Sequence, residues 1–534
     1  MSVLDFRFNQ IINDKILSKK IRFISKKKQK YYFELINKIN CQNSNNLLWI
    51  SSISSSRNIF RTRIFYYLCL KELIDENSNY IKKFSNIYID NDQILKLLID
   101  KNIDKKKIFN SNSILKSSFL KFKGFLINII QLLICKLFLS KLLISNENIL
   151  FQVPISIQYS LQKSIGNLRE ILYQKNFNKI IFVPYLITKN LSNIFYLNKL
   201  KKEKNFLFIQ TYLSFFDYLK IFKNYYKKNY LTFPNKINNF EKIIIQKEFQ
   251  DNLFDPVSFN SLEYFYFIKK VSNLNYKLKF FSIFENSPVN KLWHMAINNF
   301  INPNILNYGI KTMIPVKKYF SQYYIINSEN FLKLLPNKII LSSDILKSQL
   351  SKDNPLYKDN YINGPNLRKS FSTIKSQYTR PSIVFFSSIL EFETDLILNL
   401  LKKIHPNENY DYFIKFHPSF QNHSNFNLPK FFSINENLNI NQLKKNSIII
   451  SGMSSILVDS LEYNFKSIYV DTNFYLDLNP MLTQYNKSFS YKILRPYDNI
   501  NNVINSVISN ENSYKKNKIY NDTDSVKFNN FFND

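Results

Sequence analysis

The sequence predicts an α/β protein whose C-terminal part is a doubly wound parallel sheet. Two observations carry this. Short apolar runs of strand composition alternate with helical runs along the whole chain of 534 residues. The alternation is cleanest after Pro381, where each strand ends in turn residues and each turn opens a helix. A third observation sets the scale. Hydrophobic residues make up 45% of the chain and aromatics 16%, enough to bury large cores and to exclude a disordered chain.

The elements follow in order. Leu47–Ile53 and Asn86–Ile89 read as strands, and a helical region is expected near 114–145. Lys179–Pro184 reads as a strand, and 205–270 as irregular, aromatic-rich chain. Strand Lys279–Phe284 leads through Glu285-Asn286 into a helix from about Pro288 to Phe300, with proline in its first turn. The stretch 352–380, with Pro355 and Asn363-Gly364-Pro365, is expected as a linker. Beyond it come strand Ser382–Phe386, helix 391–403, strand Tyr410–Phe416, a short strand near Phe431–Ile434 and helix 439–445. Strand Ser447–Ser451, helix 455–463, strand Ser467–Val470 and a helix near 498–510 complete the series. The division is therefore an N-terminal domain 1–351, a linker 352–380, a C-terminal domain 381–512 and a frayed polar tail 513–534.

Charge is distributed unevenly. The chain carries 73 Lys+Arg and 39 Asp+Glu, a net +34. Residues 381–534 hold 14 basic and 15 acidic side chains, net −1, which leaves +35 on residues 1–380. Codon bias toward lysine acts on both parts equally, so the asymmetry points to a basic N-terminal part facing an anionic partner. Arginine is scarce and no helix-turn-helix, RRM or zinc pattern occurs, so nucleic acid is not the favoured partner. Cys41, Cys69 and Cys135 are widely spaced and odd in number, which excludes a disulfide framework. Met1–Gln10 lacks an apolar signal core, so a cytoplasmic protein is expected. The longest apolar stretch, Phe125–Ile144, contains Lys136 and Lys141. It suits a core helix or one lying on an anionic inner membrane face better than a spanning helix.

Two motifs carry candidate chemistry. Lys415-Phe416-His417-Pro418 ends a strand, so Lys415 and His417 share a face at the carboxyl edge of the sheet, with Pro418 fixing the turn. A histidine and a lysine there suit a phosphate. Gly452-Met453-Ser454-Ser455 joins a strand to a helix. It offers Ser454 and Ser455 hydroxyls at a helix N-terminus, and Gly452 is one of only five glycines. Only five glycines also argue against a Gly-loop nucleotide fold. Asp471, after strand SIYV, suits a ribose or a strand end, and Gly309 in NYGIK a ligand approach or a turn. His294 reads as a packed histidine. Neither HExxH nor an acidic metal cluster occurs, so no metal and no cofactor are expected.

YFIKFHPSF followed by SIIISGMSSILVDSLEYNFKSIYVD resembles the C-terminal half of GT-B glycosyltransferases of bacterial surface polysaccharides, including sialyltransferases and capsular Kdo transferases. ENSPVNKLWH, NYGIK and NKIILSSD are similar to surface carbohydrate biosynthesis proteins of that superfamily, so the resemblance spans roughly 280–475. It implies two Rossmann-like domains facing a cleft, with a helical insertion in the N-terminal domain. It also implies a nucleotide-sugar donor, a CMP-sugar first, whose phosphate is held by His417, Ser454 and Ser455. The acceptor would be an anionic glycan or glycolipid. The family's acidic triplet is missing, and Glu285 is the substitute for its general base. Glycerophosphotransferases of teichoic acid synthesis share a similar motif pair. Beside them stand the non-enzymatic alternatives, a nucleic-acid-binding or membrane-surface protein.

Overall fold

The computed structural model describes residues 3–111, 123, 126, 129–130, 133–134, 141–155, 179–186, 205–227, 230–274, 276–311, 315–365, 376–417, 420, 426–463, 465–480, 491–509 and 520–521. The helical insertion expected near 114–145 falls largely outside these residues, as do Pro418 and most of the tail.

Two six-stranded sheets organise the chain, and every strand pair in them is parallel. A smaller sheet precedes them: β1 (Val3–Asp5), β2 (Asn86–Ile89) and β3 (Ile108–Asn110), in that order. The first large sheet is built from β4 (Ile149–Ile155), β5 (Ile180–Leu186), β6 (Lys279–Ile283), β7 (Asn307–Lys311), β8 (Lys338–Leu341) and β9 (Tyr361–Asn363), ordered β5-β4-β6-β7-β8-β9. The second uses β10 (Ser382–Phe386), β11 (Asp411–Lys415), β12 (Ser433–Ile434), β13 (Ile448–Ser451), β14 (Lys466–Val470) and β15 (Tyr491–Leu494), ordered β12-β11-β10-β13-β14-β15. Their central strands are buried on both faces, as helix-covered parallel strands require; β10, β13 and β14 are buried at every residue.

The α/β architecture with two parallel sheets is as expected. Several elements differ from the sequence reading. Leu47–Ile53 is not a strand: Leu47–Ser51 forms helix α2, because the Asn46 side chain caps the Trp49 N–H at 3.2 Å. Its consecutive buried Leu48, Trp49 and Ile50 mimic the apolar run of a core strand. Before it runs α1 (Lys15–Gln42), capped by Asp14, and after it α3 (Ile64–Ile81). The stretch 205–270 is mostly helical: α4 (Phe215–Lys227), α5 (Asn239–Asp251) and α6 (Pro256–Val271). α5 opens on an Asn238/Glu241 capping box and α6 on Asp255-Pro256. α7 (Pro288–Phe300) has the expected bounds. α8 (Asp344–Asp353) leads to β9, which pairs with β8 inside the segment expected as linker. In the second domain α9 (Glu391–Leu401), α10 (Ile456–Glu462) and α11 (Ile500–Ile508) match, whereas 439–445 contains only a 3-10 turn at Ile440–Gln442.

The two large sheets share apolar cores. Phe284, Ile339 and Leu341 lie in one buried cluster with Val384, Phe386 and Ile449. The chain after β14 reaches the other way: Phe474, Tyr475, Leu476 and Leu478 belong to the core that surrounds α1 and α3. The tail is anchored rather than frayed at Tyr520, which is 1% exposed and donates its hydroxyl to Asp459 of α10 at 2.7 Å. Asn521 bonds the carbonyls of Ser342 and Gly364 beyond β8 and β9. Among the described residues no helix is long and apolar enough to cross a membrane.

Candidate functional site

Strand order locates the crevices. In open parallel sheets a ligand sits outside the carboxyl ends of the two strands at which the winding direction reverses. In the second sheet those strands are β10 and β13. Their carboxyl ends run into Ser387-Ser388 and Gly452–Ser455. In the first sheet they are β4 and β6, and β6 runs into Glu285.

At the second sheet, the Ser387 hydroxyl accepts the His417 N–H at 2.6 Å, which fixes the His417 backbone beside the β10 end. The imidazole is half-buried, and burial lowers its pKa. Lys415 lies two residues earlier, but its ammonium is engaged by the Leu438 carbonyl. In the Gly452–Ser455 turn and at the start of α10, three N–H groups already have acceptors. Met453 N–H meets both Glu393 carboxyl oxygens at 3.0 Å, Ser454 N–H meets the Gly452 carbonyl at 2.8 Å, and Ile456 N–H lies 3.4 Å from the Ser454 hydroxyl. Ser454 and Ser455 are half-buried. The turn thus brings the Ser454 and Ser455 hydroxyls to the start of α10, while part of the N–H row there is engaged within the protein.

Gly452 is explained by a close approach inside the protein. A Cβ at this position would stand 2.2–2.4 Å from the Glu393 carboxyl. Glu393, on α9, is fully buried. Burial raises its pKa to about 7, against the opposing bonds from Ser388 and Met453.

At the first sheet, Asn290 at the start of α7 accepts the Glu285 N–H at 3.0 Å and donates to the Ile283 carbonyl, clamping the turn that carries Glu285. The next residue, Asn286, holds φ at 52°, a left-handed conformation that costs a non-glycine residue energy. Its amide donates to Glu329 at 3.2 Å. Burial alone raises the Glu329 carboxyl, yet Arg57 and Lys291, each at 2.8 Å, outweigh it and hold it at about 2. Glu285 is different. Burial raises its pKa, and the nearby Lys311 charge only partly offsets this. Lys311, at the carboxyl end of β7, is itself lowered to about 8 by burial, with Glu285 and Glu329 opposing. Its ammonium donates to the Gln322 carbonyl at 2.6 Å. Tyr319 is pushed up to about 12 by burial and by Glu285. Glu285 therefore sits in a small group of perturbed acids at a switch point, the setting in which a carboxylate gains basicity.

The carboxyl-end loops of the two sheets are joined by aromatic rings. Tyr319, beyond β7, packs on Phe60 at 5.4 Å between centroids; Phe60 stacks on Phe474, beyond β14, at 6.2 Å; Phe474 stacks on Phe392, next to Glu393, at 5.0 Å. The Glu285 side and the Gly452–Ser455 side thus meet across a short aromatic bridge.

Other candidates resolve differently. Asp471 is paired inside the protein: both its oxygens receive the Arg22 guanidinium of α1, at 2.9 and 2.5 Å. Gly309 lies within β7, where a Cβ would meet Phe284 and Pro336 at 2.9 Å, so strand packing explains it and no ligand approach is needed. His294 is a packed histidine, fully buried between Ser282 at 2.9 Å and Asn307 at 2.8 Å, with its pKa lowered to about 3 by burial. Among the described residues no three His, Cys, Asp or Glu side chains converge to hold a metal ion. A polar depression bounded by Arg380, Tyr410, Tyr412 and Lys444 lies at the opposite, amino ends of β10 and β11.

Sequence reasoning missed Lys311, Glu393 and Ser387-Ser388. The last had a signal, since IVFFSS repeats the apolar-run-then-serine pattern of IIISGMSS. Glu393 and Lys311 had none, because each acts on a partner distant in sequence.

No family profile and no curated protein matches the chain. Several solved structures do. An S. aureus MnaA–UDP co-structure is 10% identical over 71% of this chain and 94% of that one, with TM-score 0.42. A UDP-N-acetylglucosamine 2-epimerase is 9% identical over 71% and 93%, with TM-score 0.40. The glycotransferase of kitacinnamycin is 7% identical over 68% and 91%, with TM-score 0.38. At such scores the likeness is one of outline, and it carries no chemistry to this chain.

Proposed function

We propose that the chain is a glycosyltransferase of the two-domain GT-B kind, moving a sugar from a nucleotide donor, a CMP-sugar first, to an anionic surface glycan or glycolipid. The observation that supports it is the placing of both motif groups at switch points, with Glu285 on one sheet and the Gly452–Ser455 turn on the other. The second domain takes the donor, with Ser454, Ser455 and His417 toward its phosphate. The first takes the acceptor. The acceptor hydroxyl attacks the anomeric carbon as the bond to the phosphate oxygen breaks, and its proton passes to Glu285. The nucleotide leaves with the electron pair, and hydroxyl and imidazole donors stabilise its charge. The chain's own residues supply each role, and the reading calls for no metal.

An anionic acceptor also fits the outer face of α1. Lys19, Lys20, Lys26, Lys27 and Lys30 are exposed there, beside Phe23 at 63% exposure. The test is nucleotide release from CMP-sugars in the presence of an anionic polysaccharide. Glu285→Gln is expected to lower the rate by about 10²–10⁴-fold with little change in donor KM. Added salt is expected to raise the acceptor KM by screening the basic face. An unchanged rate in Glu285→Gln removes Glu285 as the base.

A further inference from the structure

We infer that Glu393 is the positioning residue of the donor turn: its buried carboxyl group holds Gly452–Ser455 from beneath in the conformation that presents the Ser454 and Ser455 hydroxyls. The inference rests on the reading that this turn receives the donor phosphate. Its geometry is independent of that reading.

Glu393 is 0% exposed on the second residue pair of α9, with both carboxyl oxygens 3.0 Å from the Met453 N–H. Only glycine fits above it, since a Cβ at 452 would overlap all three carboxyl atoms. Ser388, from the loop after β10, bonds the same carboxyl group. One side chain thus ties the two loops of the switch point, β10–α9 and β13–α10, to each other. The position of Phe392 follows, because it stacks on Phe474 and so joins the same unit to the aromatic bridge.

The held group is also a charge. Asp471 faces it from the end of β14, with its own charge paired to Arg22 of α1, and the buried Tyr469 faces it from within β14. Because burial brings the Glu393 carboxyl up to about 7, the turn is uncharged in mild acid and anionic in mild base. An anion above it is repelled only in the second state. Donor affinity therefore falls as pH rises through neutrality.

Three forms of the full chain test this: wild type, Glu393→Gln and Glu393→Ala. Gln keeps an oxygen acceptor for Met453 and removes the charge; Ala removes both. Hydrogen exchange of the segment 448–458 is expected to rise at least about tenfold in Glu393→Ala and to stay near wild type in Glu393→Gln. Titration with CMP and with UDP at pH 6 and pH 8 is expected to show wild type losing about tenfold more affinity than Glu393→Gln over that interval. The comparison with Glu393→Gln cancels the titration of the nucleotide's own phosphate. Wild-type exchange in Glu393→Ala overturns the positioning role. A Glu393→Gln protein with the wild-type pH dependence overturns the charge coupling, and if Glu393→Ala does not fold, Glu393→Leu, which also lacks the acceptor, takes its place in the exchange measurement with the same reading. If wild type binds neither nucleotide at either pH, the donor reading fails, and the exchange result still decides whether Glu393 holds the turn.

Discussion

At the scale of single residues, two carboxyl groups, Glu285 and Glu393, have surroundings that push their pKa values upward. Glu285 is raised by burial, and Lys311 works against that rise. Replacing Lys311 with Met removes the opposing charge, so the Glu285 pKa rises further. In the proposed reaction Glu285 acts as the ionised base, so the rising limb of the pH–rate profile is expected to move up by about one unit. The loss is therefore larger at pH 6 than at pH 8. A profile whose limb stays in place in Lys311→Met contradicts the pairing. Some of this site was legible in the sequence. Glu285 stood out as an acid at a strand end, and Ser454-Ser455 as hydroxyls at a helix start. Gly452 stood out by rarity, but its reason was hidden, because Glu393 lies 59 residues away and reads as an ordinary first-turn acid. The pairing of Asp471 was hidden for the same reason: its partner Arg22 comes from a helix 449 residues earlier.

At the scale of elements, legibility followed the cleanness of the hydrophobic period. The central strands of the second sheet, β10, β13 and β14, are continuous apolar runs between turn residues, and their positions hold to within a residue; the edge strand β15, YKIL, is only partly buried and was not read as a strand. The helices of 205–270 were hidden by aromatics on several faces; α6 buries Phe259, Tyr264, Phe265 and Phe267 alike. Their caps, Asn238 with Glu241 and Asp255 with Pro256, were the usable signals. α1 was masked differently, since the lysines between Lys19 and Lys30 interrupt its apolar period. In the fold this helix has two uses. Its outer face carries the lysines, while Arg22 and Ser25 bind the chain after β14, Arg22 at Asp471 and the Phe474 carbonyl, Ser25 at the Tyr475 carbonyl. A double-mutant cycle with Arg22→Ala and Asp471→Ala is expected to give a coupling of about 1–3 kcal/mol in urea unfolding. A coupling near zero contradicts α1 as the clasp between the N-terminal helices and the second sheet.

At the scale of the whole molecule, the uneven charge now has a physical frame. The part with net +35 contains the small sheet, α1 and the first large sheet, and the near-neutral part coincides with the second large sheet. In the small sheet β2 was read at its bounds, whereas β1 and β3 were not, because each is only three residues long. The boundary was legible only approximately. β9 completes the first sheet at Tyr361–Asn363, and Tyr520-Asn521 returns from the tail to bind α10 and the loops beyond β8 and β9. Two anchored crossings, one after β14 and one at Tyr520, hold the halves so that their switch points adjoin. The proposed donor site lies at one of these switch points, in the Gly452–Ser455 turn, and nucleotide binding tests it. The full chain is titrated calorimetrically with CMP, UDP, GDP and CDP, followed by Ser454→Ala/Ser455→Ala with the nucleotide that binds best. Selective binding is expected, strongest for CMP and weakened about tenfold or more in the double variant. Binding of none of the four, or equal binding by wild type and the double variant, contradicts it.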